Sequence, residues 1–222
     1  TFASSNALSN QVVTPTLSGL SLSNANYSIT GLTSELRATI NPAQITVTVS
    51  KTYDGSTVVT NAGITLAGVN SETLTLSSGT ATLTSPNVGM ANISALNNGV
   101  LGNGTSGTIG LASNYTLVNP IFSTVTISPA NLSVSASNAI KTYNKSTDVI
   151  GASTAPAAIV VSGALFNGDT LSGGSFAYTD TNAGVGNKTL TVSGVAVFNG
   201  TLGVSANYSI TYVDNTGQDF PT

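Results

Sequence analysis

The chain of 222 residues has no histidine, no cysteine and no tryptophan, and only five lysine and arginine residues. Without histidine or cysteine, the sequence excludes a Cys/His zinc site, a Ser–His–Asp triad and a disulfide framework. Charged residues make up 6 % of the chain, against about 25 % in an ordinary soluble domain. A net charge of −3 with so few basic side chains excludes the basic surface that nucleic-acid binding requires.

Long apolar runs are also lacking. The longest spans residues 155–161 and contains Pro156, whereas a transmembrane helix needs about 18 or more apolar residues. The first residues show no basic stretch followed by an apolar one, so we expect that any export signal has been removed or lies outside this sequence. We predict no transmembrane segment.

What the chain does have is a period of two. Apolar residues alternate with threonine or serine, as expected for half-buried β-strands, in the segments 45–50, 73–76, 131–135 and 189–192. Asn-Gly pairs favour hairpin turns with positive φ, and they occur at 98–99, 103–104, 167–168 and 199–200. No window predicts a convincing amphipathic helix, the best being the short stretch 31–39. The fold is predicted to be all-β.

Internal repeats organise these strands. Four motifs return at offsets of 87, 90, 95 and 93 residues: Ile40–Ala43 as Ile127–Ala130, Lys51–Gly55 as Lys141–Lys145, Asn87–Gly89 as Asn182–Gly184, and Ala112–Leu117 as Ser205–Ile210. A repeat of about ninety residues is long enough to enclose its own core.

A third, partial copy opens the chain. Residues 1–7 align without a gap on residues 82–88, and Asn26-Tyr27 repeats an Asn-Tyr pair found in each later copy. We therefore predict that residues 1–38 are the C-terminal half of a preceding module. Residues 39–126 and 127–222 are predicted to be two full modules, called here the first and second repeat.

The order of these motifs resembles a known family. Ser/Asn-Pro-Ala, a strand, Lys-Thr-Tyr-Asp-Gly, Asn-Val-Gly and Ala-x-Asn-Tyr-Thr-Leu together resemble the YDG-type repeats, relatives of the MBG repeats, of large exported bacterial adhesins such as filamentous-haemagglutinin-like proteins. The resemblance implies structural modules at the bacterial cell surface or secreted, without enzymatic activity. We expect tandem β-sandwich (Ig-like) modules, with β-grasp-like modules as the alternative.

The motif residues are expected to be structural. Tyr53 and Tyr143 would anchor strand ends, while Asp54 or Asn144 would form an Asx turn. The remaining members of the two motifs are Lys51, Gly55, Asn114, Tyr115, Asn207 and Tyr208.

Two expectations follow from how these motifs vary. In the Asn-Tyr pairs the tyrosine would pack across a sheet and the asparagine would bond a backbone amide. Because Asn144 and Lys145 replace Asp and Gly, the second turn would have to be rebuilt.

A general acid or base needs a second titratable partner. Asp54 is replaced by Asn144 in the second repeat, and no other acidic residue is found at equivalent positions of both repeats. The sequence therefore predicts no enzyme, no metal site and no cofactor. Among nine Asn-x-Ser/Thr sequons, the expected loop positions Asn103 and Asn199 are the candidate glycosylation sites.

Two functions from different classes fit this sequence. The first is a stalk or spacer that holds a binding tip away from a cell, with neighbouring modules as its partners. The alternative is a self-assembling extracellular fibre subunit, in which residues 1–38 join identical chains by β-strand addition. Charged residues on edge strands normally oppose pairing with other chains, and the predicted strands of this chain carry few of them, which motivates this alternative.

Overall fold

The computed structural model describes residues 1–15, 22–24, 26–28, 35–89, 91–117 and 123–220. Its contacts divide the chain into two compact units. The first unit comprises Thr1–Val49, Val59–Thr82 and Ile93–Thr124, and the second comprises Ser50–Val58, Leu83–Asn92 and Val125–Thr222. The second unit therefore contains residues 50–58, 83–92 and 125–126 of the first repeat together with the whole described part of the second.

Seventeen strands make up most of the described residues. They are β1 (Leu8–Val13), β2 (Leu36–Ile40), β3 (Ala43–Gln44), β4 (Thr46–Thr52), β5 (Val58–Thr60), β6 (Ile64–Ala67), β7 (Thr73–Leu83), β8 (Ile93–Asn103), β9 (Tyr115–Thr116), β10 (Ser123–Ser128), β11 (Ala130–Ala136), β12 (Ala158–Gly163), β13 (Thr170–Tyr178), β14 (Gly184–Asn199), β15 (Leu202–Gly203), β16 (Tyr208–Tyr212) and β17 (Asn215–Phe220). Short 3₁₀ turns occur at Asn61–Gly63, Val69–Ser71, Ala112–Asn114 and Ser205–Asn207.

The first unit contains an antiparallel pair, β1 with β2, and a short parallel pair, β3 with β9. A larger sheet of this unit runs in the order β4-β6-β7-β5, with β8 paired to β7. Within the unit, the inward residues of these strands form the core, as the burial of Val47, Val49, Leu66, Leu74 and Ala81 shows.

The second unit contains a three-stranded sheet in the order β12-β11-β16, in which β16 runs parallel to β11. A second sheet joins β13, β14 and β15, with β17 also paired to β14. Leu132, Val134, Leu190 and Val197 are almost completely buried and form its core.

The two parallel pairs correspond to each other. Ala43 lies opposite Tyr115 in the first repeat, and Ala130 lies opposite Tyr208 in the second. Each repeat thus joins its first strand to the strand that begins with the tyrosine of its Asn-Tyr pair.

The alternation predicted from the sequence is confirmed. Ile45, Val47 and Val49 are buried, while the intervening Thr46 is exposed and Thr48 is half-buried. Of the 31–39 window, residues 31–34 lie outside the described residues, and 36–39 belong to β2. In the described ranges helix is limited to 3₁₀ turns of three residues, and none is long and apolar enough to cross a membrane. The fold is all-β, with several sheets in a sandwich-like arrangement.

Two of the predicted hairpin turns are wrong. Asn98-Gly99 and Asn103-Gly104 lie within or at the end of the long strand β8, and only Asn98 of these four has positive φ. Gly79 on the neighbouring strand explains the first pair, because a Cβ there would stand 2.8 Å from the Gly99 Cα. The glycines allow the two strand backbones to approach each other closely. An Asn-Gly pair in the sequence does not by itself distinguish such a close approach from a hairpin turn. At Asn167-Gly168, both residues have positive φ, as predicted.

The core assignment predicts unequal effects for two leucines of the second unit. Leu190 is fully buried and Leu202 is 62 % exposed. Leu190→Ala should lower the free energy of unfolding by about 2–5 kcal/mol, because it removes buried methylene groups and leaves a cavity. The matched control Leu202→Ala should change it by less than about 0.5 kcal/mol. Urea unfolding measures both, and equal effects would contradict the assignment.

Candidate functional site: a buried tyrosine–carboxylate cluster

The turn after β4 is stabilised by hydrogen bonds from the buried side chain of Lys51. The ammonium of Lys51 donates to the Asp54 carboxylate at 2.6 Å and to the carbonyl of Ser56 at 2.8 Å. The Asp54 carboxylate also accepts the backbone N–H of Ser56 at 2.9 Å, which closes an Asx turn. Gly55 follows with φ of 74°. Lys51 and Asp54 therefore shape the loop that carries Tyr53.

The second repeat keeps this turn although its residues differ. The Asn144 side chain accepts the N–H of Ser146 at 3.0 Å, and Lys145 has φ of 65°. The expectation that this turn is rebuilt is wrong, because Asn makes the same Asx bond and the lysine adopts the left-handed conformation. Lys141 donates to the carboxylate of Asp148 at 3.1 Å. The acidic partner of the motif lysine has thus moved from the Asp54 position to Asp148.

The tyrosines of the two turns have different surroundings. Tyr53 is 2 % exposed, whereas Tyr143 is 44 % exposed. Tyr53 lies in the second unit, where its N–H donates to the carbonyl of Ser128 at 2.8 Å. Its ring packs edge-on against Tyr208 at 5.3 Å and against Phe166 at 6.0 Å between ring centroids.

A buried carboxylate lies at the centre of this packing. Asp169 is 5 % exposed, and one of its oxygens accepts the hydroxyls of Tyr53 at 3.0 Å and Tyr208 at 2.7 Å. Its other oxygen accepts the side-chain N–H of Asn199 at 2.9 Å. A buried carboxylate is costly unless it is hydrogen-bonded, and three side-chain donors here meet that requirement. The cluster joins Tyr53 of the first repeat to Tyr208 of the second within one compact unit.

An amide pair lies beside the cluster. The Asn207 side chain accepts the backbone N–H of Val88 at 2.9 Å and donates to the side-chain oxygen of Asn87 at 2.8 Å. Asn207 is 2 % exposed. This pair of bonds, called here the amide clamp, ties the Asn-Tyr motif of the second repeat to the Asn-Val-Gly loop of the first.

The first unit contains the same clamp. Asn114 accepts the N–H of Ala7 at 2.8 Å and donates to the side chain of Asn6 at 3.0 Å. Asn6 and Ala7 align with Asn87 and Val88 in sequence. The residues that open the chain thus contact the first repeat as the loop 86–88 contacts the second.

The carboxylate also has an equivalent in the first unit. Tyr115 donates to Glu72 at 2.6 Å and accepts the N–H of Val69 at 3.0 Å. In the second unit, Tyr208 accepts the N–H of Phe166 at 2.9 Å. Val69-Asn70-Ser71-Glu72 therefore corresponds to Phe166-Asn167-Gly168-Asp169.

Sequence reasoning missed Glu72 and its equivalence to Asp169, and the expectation that no acidic residue occurs at equivalent positions of both repeats is wrong. The two acids are 97 positions apart, outside the range of 87 to 95 given by the recognised motifs. Asp replaces Glu as well, which weakens the similarity. The shared signal is an asparagine with positive φ, φ 52° at Asn70 and 54° at Asn167, two residues before the acid. The acid is followed by Thr-Leu in both repeats.

The candidate glycosylation positions lie at strand ends. Asn103 ends β8, is exposed, and accepts the N–H of Ala112 at 2.8 Å. Asn199 ends β14 and uses its side-chain nitrogen on the carbonyl of Asn167 and on Asp169. Glycosylation would replace one of the two hydrogens on that nitrogen and so remove one of these hydrogen bonds; modification of Asn103 or Asn199 stays a prediction.

Burial and neighbouring carboxylates favour neutral phenols in both clusters. Burial, with the hydrogen bond to Asp169, raises the pKa of Tyr53, and burial raises the pKa of Tyr208 strongly. Burial, with the bond to Glu72, raises the pKa of Tyr115. The tyrosines thus act as hydrogen-bond donors to the carboxylates at neutral pH. In the described ranges, no three acidic side chains converge in an arrangement that could hold a metal ion.

This geometry is that of a tandem β-repeat protein, in which a motif of one repeat contacts a loop of the sequence before it. Residues 37–124 and 128–216 each match the family model described as YDG domain. The chain belongs to the YDG domain family and contains two consecutive copies. No curated protein and no solved structure matches the chain.

Replacing the central carboxylate should destabilise the second unit. Asp169→Asn leaves one acceptor oxygen for three donors, and hydrogen bonds to a charged group contribute about 1.5–3 kcal/mol each. We expect the free energy of unfolding to fall by about that amount. Asp214→Asn, at an exposed position, is the control and should have little effect. Chemical denaturation distinguishes the two, and an equal loss would argue against a special role for Asp169.

The raised pKa of Tyr208 predicts a loss of stability in alkali. A group whose pKa is raised by folding stabilises the fold below its unfolded value, about 10 for tyrosine. That stabilisation is lost as the pH rises above 10 towards the folded pKa. The midpoint temperature of thermal unfolding should therefore fall more steeply above pH 10 for the wild type than for Tyr208→Phe. Parallel alkaline profiles of the two proteins would refute the assignment.

Proposed function

We propose that this chain is a structural repeat segment, a stalk or spacer, of a secreted bacterial cell-surface protein of the adhesin type. One observation carries the proposal: the amide clamp occurs twice, at Asn114 and at Asn207, each time on the loop that precedes the repeat. A contact that recurs with the repeat suits an array whose modules are linked in series. The resemblance of the motifs to YDG-type repeats of exported adhesins supports the location.

The distribution of charge supports a structural role. Four of the five basic residues form ion pairs: Arg37 with Glu35, Lys51 with Asp54, Lys141 with Asp148, and Lys188 with Asp180. The three lysine side chains are at most 8 % exposed, so their ammonium groups serve turns and strand ends inside the modules. The titratable groups of the Asp169 cluster hold the second unit together in the same way.

Light scattering on the purified chain separates the two functions. A spacer should elute as a monomer over a wide range of concentration, since its modules already bond to each other within the chain. Ordered filaments that disappear when residues 1–38 are deleted would replace the spacer by the fibre subunit. A filament that survives the deletion would contradict both the spacer function and a fibre whose subunits are joined through residues 1–38.

Location is tested on intact cells that make the parent protein. An antibody against the purified chain should label unpermeabilised cells or the culture supernatant, and added protease should remove the surface signal. Labelling that requires permeabilisation would refute a surface or secreted location.

A further inference from the structure

A polar groove opens on the first unit beside Glu72 and Tyr115. It encloses about 380 Å³ and is lined by Asn6, Asn41, Val69, Asn70, Glu72 and Tyr115, among others. All of these residues belong to the first unit. The groove therefore lies where the amide clamp, the Asn70 turn and the start of the first repeat meet.

The corresponding place in the second unit contains the Tyr53 turn. Tyr53 bonds the Asp169 carboxylate there, and its N–H donates to the carbonyl of Ser128. Glu72 is the equivalent of Asp169, and Asn41 is the equivalent of Ser128. The groove thus presents the same kinds of acceptor, a carboxylate beside a tyrosine and a backbone carbonyl before proline.

The residues of the groove are more exposed than their equivalents in the second unit, as expected if the Tyr53 turn covers the latter. Val69 is 53 % exposed, whereas its equivalent Phe166 is half-buried against the Tyr53 ring. Glu72 is half-buried, whereas Asp169 is 5 % exposed. The cavity left around Tyr53 measures only about 110 Å³, less than a third of the groove on the first unit.

We propose that this groove is a docking site for the Tyr-Asp-Gly turn of a further YDG module. The tyrosine hydroxyl would donate to Glu72, its ring would cover Val69, and its backbone N–H would donate to the carbonyl of Asn41. The proposal deepens the role as a tandem array and rests on it for the identity of the occupant.

The glycine of the turn is the specificity determinant. A Cβ at Gly55 would stand 2.8 Å from the Asn167 Cβ and 3.1 Å from that of Phe166. Asn70 has nearly the same left-handed backbone as Asn167, so the groove requires glycine at this position too. Lys145 occupies it in the second repeat. The Tyr143 turn of a second copy is therefore disfavoured by its Cβ.

The amide clamp indicates which module supplies the turn. Residues 82–88 belong to the same repeat as Tyr53, and residues 5–7 stand in their place at the groove. The occupant is accordingly the Tyr-Asp-Gly turn of the module that the N-terminal segment completes.

A cysteine reporter in an extended chain tests the docking. The chain has no cysteine, so Val69→Cys introduces a single thiol at the groove. A copy of residues 37–81 is joined ahead of Thr1, because Thr1 aligns with Thr82. The thiol should react about tenfold more slowly with a maleimide in the extended chain than in the original one, since the added tyrosine covers it.

Matched variants identify the group responsible. Changing the added copy's tyrosine to alanine, or its glycine to lysine, should restore the fast reaction. Phe166→Cys should react slowly in both chains, because Tyr53 already packs against this position. A Val69→Cys thiol that stays fast in a folded extended chain, or that is protected equally by the lysine variant, would overturn the proposal.

A second measurement applies if the extended chain fails to fold. The peptide of residues 50–58 is titrated into the original chain, and amide NMR signals of Val69, Glu72 and Tyr115 are followed. They should shift, and a peptide with lysine in place of Gly55 should shift them far less. No shift at millimolar peptide, or equal shifts with both peptides, would overturn the proposal. Light scattering of the same samples reports filament formation, so failure of the spacer function is read separately.

Discussion

The buried carboxylate of Asp169 is the constraint on which the second unit depends. A charge at 5 % exposure is tolerated only when its oxygens accept hydrogen bonds, and Tyr53, Tyr208 and Asn199 supply them. Satisfying one side chain therefore fixes three others from distant parts of the chain. Tyr53 comes from the first repeat, so the requirement of a single carboxylate places the Tyr53 turn of one repeat within the compact unit that contains the next.

Around this cluster, each motif of the repeat acquires a physical task. The lysine of Lys-Thr-Tyr donates to carbonyls of its own turn and so presents the tyrosine. The asparagine of the Asn-Tyr pair bonds the loop before its repeat, while the tyrosine bonds the acid of its own repeat. The motifs thus have complementary parts, a donor turn and a receiving site, and this complementarity suits serial repetition.

The repeats also show how such an arrangement tolerates substitution. Loss of the Asp54 carboxylate in the second copy is matched by Asp148, which pairs with Lys141. Loss of Gly55 is different, because Lys145 keeps the left-handed backbone but adds a Cβ on the docking side. The change from Asp54 to Asn144 therefore leaves the turn intact. The change from Gly55 to Lys145 keeps the backbone shape of the turn but alters which surfaces it can contact.

The sequence by itself determined the strands, the absence of long helices in the described residues and the two YDG copies. These follow from alternation and from recurring residues, which are local signals. Only the tertiary structure decided that Ala43 and Ala130 pair in parallel with Tyr115 and Tyr208. It also revealed that Glu72 and Asp169 are equivalent, and that Tyr53 is buried while Tyr143 is exposed. The physical reason is that a turn has the same local geometry wherever it occurs, whereas its burial depends on the distant segment it meets, and residue spacing carries little information about that meeting.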